Sequence, residues 1–285
     1  MISISRIIRF IIVLVAGVCC AASVLAQQAP RRGIVHVAGD LYRFQNDAHY
    51  SVFLVTSDGI IVTDPINPDV ANWLSGELKD RFDLPVKYVI YSHHHEDHIS
   101  GSEVFADTAT VVAHEKTLRA ILAENIPAAI PDITFSEEMT VKLGGKSVEL
   151  TYMGVSHTDN SIAMYFPDEN AVYAVDFICV NALPYQDLPL YAYHYPEWLG
   201  SLQKLEKMDF EILIPGHDDV GVHEDVRAFR HFMEDLETSV AAGIKAGLSL
   251  EELQETVTLD EYRHWALYDE WRELNVKGMY RMLTE

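Results

Sequence analysis

The chain has 285 residues, of which 49% are hydrophobic and 22% are charged, a composition typical of a globular protein with one large or two modest domains. The formal net charge is −22 at pH 7, and a surface this negative repels phosphate backbones and anionic lipid headgroups. These numbers argue against nucleic acid as a partner and leave a small-molecule substrate as the expected one. They do not predict an oligomeric state.

Residues 1–26 predict a cleaved secretory signal peptide. Arg6 and Arg9 precede a short apolar stretch at residues 10–18, and Val24-Leu25-Ala26 offers small residues for cleavage. The apolar stretch is short and no second one follows, so we expect no stable membrane anchor after cleavage. The mature protein is therefore expected to be periplasmic or secreted, with a flexible linker at residues 27–33.

The cysteine count limits how an exported chain can be stabilised. Cys19 and Cys20 lie in the predicted signal, which leaves Cys179 in the mature chain. No intramolecular disulfide is then possible, and stability must come from core packing and bound metal. Cys179 follows an apolar stretch and is interpreted as a buried, unreactive thiol.

Apolar stretches alternate with helical patterns along the rest of the chain. Strands followed by helices, with hairpins between them, predict an α/β (α+β) protein in which two mixed sheets pack face to face with helices outside. The predicted elements, in chain order, are a hairpin at 50–55 and 59–63, a helix at 68–82, strands at 87–91 and 110–113, a helix at 115–125, at least two strands within 134–152, a hairpin at 161–166 and 171–177, a helix at 195–208, a strand at 211–214 and a long helix at 222–246.

The most specific pattern is H-x-H-x-D-H, formed by His93, His95, Asp97 and His98 directly after a short apolar strand. Side chains two positions apart in an extended segment project to the same side, so His93 and His95 can bind one ion. Asp97 and His98 follow a predicted bend and can face a second ion. Imidazole together with carboxylate suits zinc, and also manganese, iron or cobalt.

Three more candidate ligands lie near the ends of predicted strands, where a rigid scaffold meets solvent. His157 follows a strand that ends near Met153, and His217 follows Pro215-Gly216. Asp176 stands in an otherwise apolar strand, where a carboxylate is costly unless it is paired or bound to metal.

This motif set resembles that of the metallo-β-lactamase superfamily, over roughly residues 34–220, with residues 221–285 as a C-terminal helical extension packed on the same domain. The resemblance implies an αββα sandwich with the metals at one edge of the two sheets. It also implies that Asp64, at the end of an early strand, orients a ligand or the site loop. By the same resemblance, the first metal is held by His93, His95 and His157, the second by Asp97, His98 and His217, and Asp176 bridges the two or joins the second.

Two positions depart from the pattern of the β-lactamases themselves. Many of those enzymes carry cysteine or serine at the position of Asp176, and aspartate there is similar to glyoxalase II and acyl-homoserine lactonases. Some relatives place a substrate-contacting lysine or tyrosine at the position of Cys179. Substrate recognition therefore does not carry over.

Two divalent ions that share a water lower its pKa from about 16 toward 7, and the resulting hydroxide attacks a carbonyl polarised by a metal. Asp97 is the predicted catalytic residue, which orients the nucleophile and passes on its proton. Our first hypothesis is an exported hydrolase with two Zn²⁺ (iron or manganese being possible) that opens a cyclic amide or ester, as a β-lactamase does. The alternatives are a lactonase or thioesterase like glyoxalase II, a mononuclear iron oxygenase of the persulfide type, and a metal-binding module without activity.

The remaining histidines receive structural interpretations. His94 is predicted to be solvated or hydrogen-bonded to its loop, and His114 to cap the following helix. A group of aromatic residues, Tyr185, Tyr191, Tyr193, Tyr195 and Trp198, either lines a pocket over the metals or packs in the core. The histidines predicted to be surface or packing residues are His36, His49, His194, His223, His231 and His264.

Overall fold

The structure is a computed structural model that describes residues 30–190 and 195–285. The predicted signal peptide lies outside the described residues, as do Tyr191, Tyr193 and His194. Within the described residues, no helix combines the length and the apolar character needed to span a bilayer.

The first sheet is mixed and has its strands in chain order. Its first four strands are antiparallel, and the later ones continue in parallel from β4. The strands are β1 (Arg32–Ala38), β2 (Leu41–Asn46), β3 (His49–Thr56), β4 (Gly59–Thr63), β5 (Val86–Ile90), β6 (Thr110–His114) and β7 (Ile133–Phe135).

The second sheet is antiparallel except between its fourth and fifth strands, which are parallel. Its strands lie side by side in chain order: β8 (Glu138–Leu143), β9 (Lys146–Tyr152), β10 (Ile162–Phe166), β11 (Ala171–Ala174), β12 (Ile212–Ile214) and β13 (Gly221–Val222).

Helices cover the outer faces of both sheets. The first helix begins at a side-chain cap, since Asn67 accepts hydrogen bonds from the backbone N–H groups of Asp69 and Val70. The helices are α1 (Pro68–Phe82), α2 (Glu96–Ile99), α3 (Glu115–Glu124), α4 (Tyr195–Glu206), α5 (His223–Ala246), α6 (Leu250–Thr256) and α7 (Tyr268–Thr284), with 3₁₀ turns at Ser102–Val104 and Asp260–Tyr262.

The alternation of side chains along β3 shows why the layers form. Val52 and Leu54 lie in the core between the two sheets, and Phe53 points to the opposite face, where it packs with residues of α1. A separate core on the far side of the second sheet joins it to α4, α5 and α7. Burial of each such side chain stabilises the fold by about 1.5–3 kcal/mol, and the resulting four layers confirm the predicted αββα sandwich.

Most predicted elements are present, with shifted ends. The hairpin around Ser57 and Asp58 forms between β3 and β4. β1 and β2 were not predicted, and β1 begins at Arg32, inside the predicted linker. The segment predicted as one strand at 171–177 ends at Ala174 instead. The domain boundary at residues 220 and 221 stays a prediction, although α5 packs in the same core as α4.

Candidate metal centre

The predicted ligands meet at one edge of the two sheets. His93 and His95 follow β5, His157 follows β9, and His217 follows β12. Because β5, β9, β11 and β12 all run toward this edge, residues far apart in the chain come together there. Asp97 and His98 arrive on the short helix α2, directly after the histidine run.

Asp176 is at the centre of the cluster, and its side chain is only 7% exposed. Each of its two oxygens faces a different set of imidazoles. Oδ2 lies 3.1 Å from His98 Nε2, 3.3 Å from His157 Nε2 and 3.6 Å from His93 Nε2, and Oδ1 lies 3.2 Å from His217 Nε2.

The first group of potential ligands is His93, His95, His157 and Asp176. Burial lowers the pKa of His157 to about 3 and the pKa values of His93 and His95 below their usual range, so these imidazoles are neutral. A neutral imidazole keeps the lone pair that a metal needs. His93 Nδ1 lies 2.9 Å from Ser92 Oγ, a contact that turns Nε2 toward Asp176.

The second group is His49, Asp97, His98 and His217. His217 Nδ1 donates to the Ala48 carbonyl at 3.1 Å, which leaves Nε2 as the atom that faces Asp176. Burial lowers the pKa of His98, but the carboxylates around it, Asp176 foremost, outweigh burial and raise that pKa to about 9. The negative charges of these carboxylates therefore favour a positive charge at His98, which either a proton or a metal ion can supply.

His49 is a site residue that the sequence interpretation missed. It was expected to be a surface or packing residue, but its Nε2 lies 3.0 Å from Asp97 Oδ2 and its ring packs edge-on against His217 at 4.6 Å. The prediction was wrong because the partner is 48 positions away in the chain. No local spacing marks such a pair.

A network of buried hydrogen bonds around Asp64 supports the histidine run. Asp64 is fully buried and accepts a hydrogen bond from the Ser92 backbone N–H at 2.8 Å. The Tyr173 hydroxyl lies 3.1 Å from Asp64 Oδ2 and 3.0 Å from the Tyr50 carbonyl. Asp64 Oδ2 is 3.9 Å from His98 Nδ1, so Asp64 is placed to orient the loop and this ring. Burial raises the pKa of Asp64, and the charge on His98 opposes that shift. Nothing in the sequence marked Tyr173.

The backbone at Asp176 has a left-handed conformation, with φ at +66°. The prediction placed Asp176 inside a strand, whereas the residue lies just past the end of β11, in a backbone conformation that costs free energy. Gly216 lies against it. A Cβ at Gly216 would stand 2.7 Å from Asp176 Oδ1 and 2.8 Å from Val175 Cγ1, so glycine is required before His217.

A cleft of about 650 Å³ opens beside the second group. Asp97, Glu96 and Asp47 contribute carboxylates to its wall, and no lysine or arginine of the described residues lines it. Asp97 is the most accessible of these potential ligands, with 58% of its side chain exposed.

The remaining predictions have mixed outcomes. His94 is hydrogen-bonded to Asn160, which lies 66 positions away and not in the loop of His94 as predicted. His114 accepts from the Lys116 backbone N–H at the start of α3, which confirms its capping role. Cys179 is half-buried and not fully buried as predicted, but desolvation raises the pKa of its thiol well above the ordinary value, in keeping with an unreactive thiol.

The predicted aromatic wall does not form as a unit. Tyr195 and Trp198 are buried in the core on the far side of the second sheet, where they pack with residues of α5, whereas Tyr185 is exposed and contacts Trp271. The packing interpretation therefore holds for Tyr195 and Trp198.

The donor set fits metal binding. His93 Nε2 is buried and has no hydrogen-bond partner among the described residues, a costly state for a polar atom unless it binds a cation. In each of the two groups, the potential ligand atoms lie within 4.8 Å of one another. The protein thus contains two His/Asp sites able to bind metal ions.

Residues 46–217, more than half of the chain, match the family model of the metallo-β-lactamase superfamily. The chain belongs to this superfamily. Among curated superfamily members, it is 26% identical over 221 residues to a type 2 metallo-β-lactamase of Elizabethkingia meningoseptica, a match that spans 73% of this chain and 86% of that one. It is 27% identical over 186 residues to the 2,4-dinitroanisole O-demethylase subunit alpha of a Nocardioides strain. That second match spans 64% of this chain and only 56% of the relative.

Solved structures share the fold at low sequence identity. A metallo-β-lactamase from Pontibacter korlensis superposes with a TM-score of 0.62 at 20% identity, over 72% of this chain and 99% of that one. An inverting sec-alkylsulfatase from a Pseudomonas species superposes with a TM-score of 0.70 at 16% identity, over 89% of this chain and 50% of that one.

Proposed function

We propose that this superfamily member is a metal-dependent hydrolase that uses two divalent ions, most simply zinc, to open a cyclic amide or ester. His93, His95 and His157 would hold the first ion, and the second would be held by Asp97, His98 and His217. The observation that carries the proposal is the position of Asp176, whose oxygens face both groups at 3.1–3.6 Å. A carboxylate so placed can serve two cations at once.

Two divalent ions at these positions would lower the pKa of a bound water and polarise a carbonyl oxygen. The chain's own residues supply the rest. Burial raises the pKa of Asp97, but the hydrogen bond from His49 and the charge on His98 outweigh burial and hold it well below its usual range, so Asp97 is ionised. An exposed, ionised carboxylate at the cleft can orient a reacting water, and because its pKa is low it would readily release any proton it takes up to solvent or to the leaving group.

The cleft favours an uncharged substrate. A β-lactam drug carries a carboxylate. The bound ions would attract it, but the carboxylates of Asp47 and Glu96 on the cleft wall would repel it, and no described lysine or arginine in the cleft offers it a partner away from the ions. Lactones and simple esters lack that charge. One relative is named for demethylating 2,4-dinitroanisole, an uncharged ether, which agrees with this preference. β-Lactam hydrolysis is the second candidate, supported by the β-lactamase relatives and by the predicted export.

A hydrolysis panel tests the proposal. Zinc-loaded protein would be assayed with an acyl-homoserine lactone, a glutathione thioester, a cephalosporin and a carbapenem. We expect the acyl-homoserine lactone, the one uncharged substrate of the four, to be turned over with the highest kcat/KM. No turnover of any of the four by protein that carries two ions would refute hydrolysis as proposed, and one iron per chain with oxygen consumption would support the oxygenase instead.

We also propose that the protein is exported and that residues 1–26 are removed. Periplasmic fractions of an expressing bacterium should contain a chain that begins at Gln27, as intact mass and N-terminal sequencing would show. A full-length chain confined to the cytoplasm would contradict this.

A further inference from the structure

The turn between β2 and β3 contacts two residues of the second group of ligands, His217 and Asp97. Asn46 pairs with His49 across this turn, and Asp47 has a left-handed φ of +52°. On one side the Ala48 carbonyl accepts from His217 Nδ1, and the Tyr50 backbone N–H donates to Gly216 at 2.8 Å. On the other side His49 contacts Asp97. A short hairpin turn is a rigid platform for such contacts.

Asp97 needs an external restraint. Its side chain is more than half exposed, so packing does not fix its rotamer, and His98 Nε2 lies 3.9 Å away, too far for a hydrogen bond. Among the described residues, His49 makes the one hydrogen bond to the Asp97 carboxylate. An unrestrained aspartate would lose conformational entropy each time it bound a cation.

The hydrogen bond also assigns the tautomer of His49. An ionised carboxylate only accepts, so at 3.0 Å the Nε2 atom of His49 must carry the proton. A protonated Nε2 has no lone pair for a metal. His49 therefore differs from His217, whose Nδ1 donates to a carbonyl and whose Nε2 is left to act as a ligand.

We propose that His49 is a positioning residue, which donates from Nε2 to Asp97 Oδ2 and holds the other carboxylate oxygen toward the second metal position, without binding the metal itself. The inference rests on the proposed function. It predicts that His49 sets the affinity for the second ion, because loss of such a supporting hydrogen bond typically weakens metal binding by about 10- to 100-fold.

The test compares His49→Ala, His49→Gln and a control, His231→Gln, in an exposed histidine of α5. Metal-free protein is titrated with Zn²⁺ against a chromophoric chelator, and two dissociation constants are fitted. We expect His49→Ala to weaken the second site by about 10- to 100-fold and to leave the first unchanged. His49→Gln keeps an N–H donor at a similar reach and should restore most of the affinity, and His231→Gln should match the parent.

Parental affinity in His49→Ala would overturn the proposal. Equal loss in His49→Ala and His49→Gln would overturn it too, because His49 would then be a ligand. Long-range ¹H–¹⁵N spectra of the metal-free protein give a readout without metal: we expect the proton of His49 on Nε2, and a proton on Nδ1 alone would contradict the proposed hydrogen bond. A parent that binds a single ion would refute the proposed function, while the spectra would still decide the role of His49.

Discussion

Replacing Asp176 by asparagine is the most direct test of the shared carboxylate. Asparagine has nearly the same shape and tolerates the left-handed backbone seen at this position, whereas alanine would add strain there. The change therefore removes one negative charge and little else. We expect Asp176→Asn to keep the first ion on its three histidines and to lose the second at ordinary zinc concentrations.

The magnitude follows from the distances. Asp176 Oδ2 lies 3.1 Å from His98 Nε2. At that separation a unit charge and the carboxylate interact by about 5 kcal/mol, for an effective dielectric constant of about 20. The neutral amide oxygen of asparagine recovers part of this, so we expect a net loss of about 3–4 kcal/mol, equivalent to a dissociation constant about 10²- to 10³-fold weaker.

The assay is metal content by mass spectrometry after dialysis against a calibrated zinc buffer, together with turnover of the best substrate. Asp168→Asn, in the exposed turn between β10 and β11, is the matched control and should retain two ions. If Asp176→Asn retained two ions with the parental affinity and full activity, the assignment of Asp176 to both metals would be refuted.

Three further changes probe the scaffold. Gly216→Ala should weaken the second ion at least 10-fold, since its Cβ would collide with the shared carboxylate, whereas Gly76→Ala, where a Cβ meets nothing within 4 Å, should leave metal titrations unchanged and stabilise α1 by up to about 1 kcal/mol. Tyr173→Phe removes a hydroxyl that serves a buried carboxylate and should lower the free energy of unfolding by about 1–3 kcal/mol, as urea denaturation would show; an unchanged midpoint would contradict this. The hydrogen bond from Arg230, foremost, lowers the pKa of Glu206 from 4.5 to about 2. The ion pair between Arg230 and Glu206 contributes about 1 kcal/mol to the free energy of unfolding. The whole contribution is present above pH 4.5, and it is lost as the pH falls toward 2. Glu206→Gln should therefore be less stable than the parent at pH 7 and nearly equal to it at pH 2, and a constant difference would contradict the assignment.

The sequence revealed most of the site because its ligands follow apolar strands. His93, His95, Asp97 and His98 are adjacent in the chain, and strands that end at a common edge bring His157 and His217 to them. Alternating apolar side chains likewise predicted the layered fold, since each sheet must bury both faces.

What the sequence did not reveal depends on tertiary contacts. His49 acts through a partner 48 residues away, and Tyr173 through Asp64, 109 residues away. The strand at Asp176 was extended too far because its apolar run continues to Phe177, although the backbone turns at Asp176. Trp198 was a candidate pocket residue because the sequence alone does not show that this side of α4 faces the core.

The donor atoms follow the rigid ends of strands, whereas the cleft wall also includes connecting segments that hold no donor atom, such as the one between α3 and β7, which contributes Pro127. Those segments can change in length and charge while the sheets and the cation-binding side chains stay fixed. A scaffold organised in this way can diversify its chemistry by loop replacement alone. This chain shares its fold with proteins named as a metallo-β-lactamase and an alkylsulfatase, at 20% identity or less, which agrees with such an organisation.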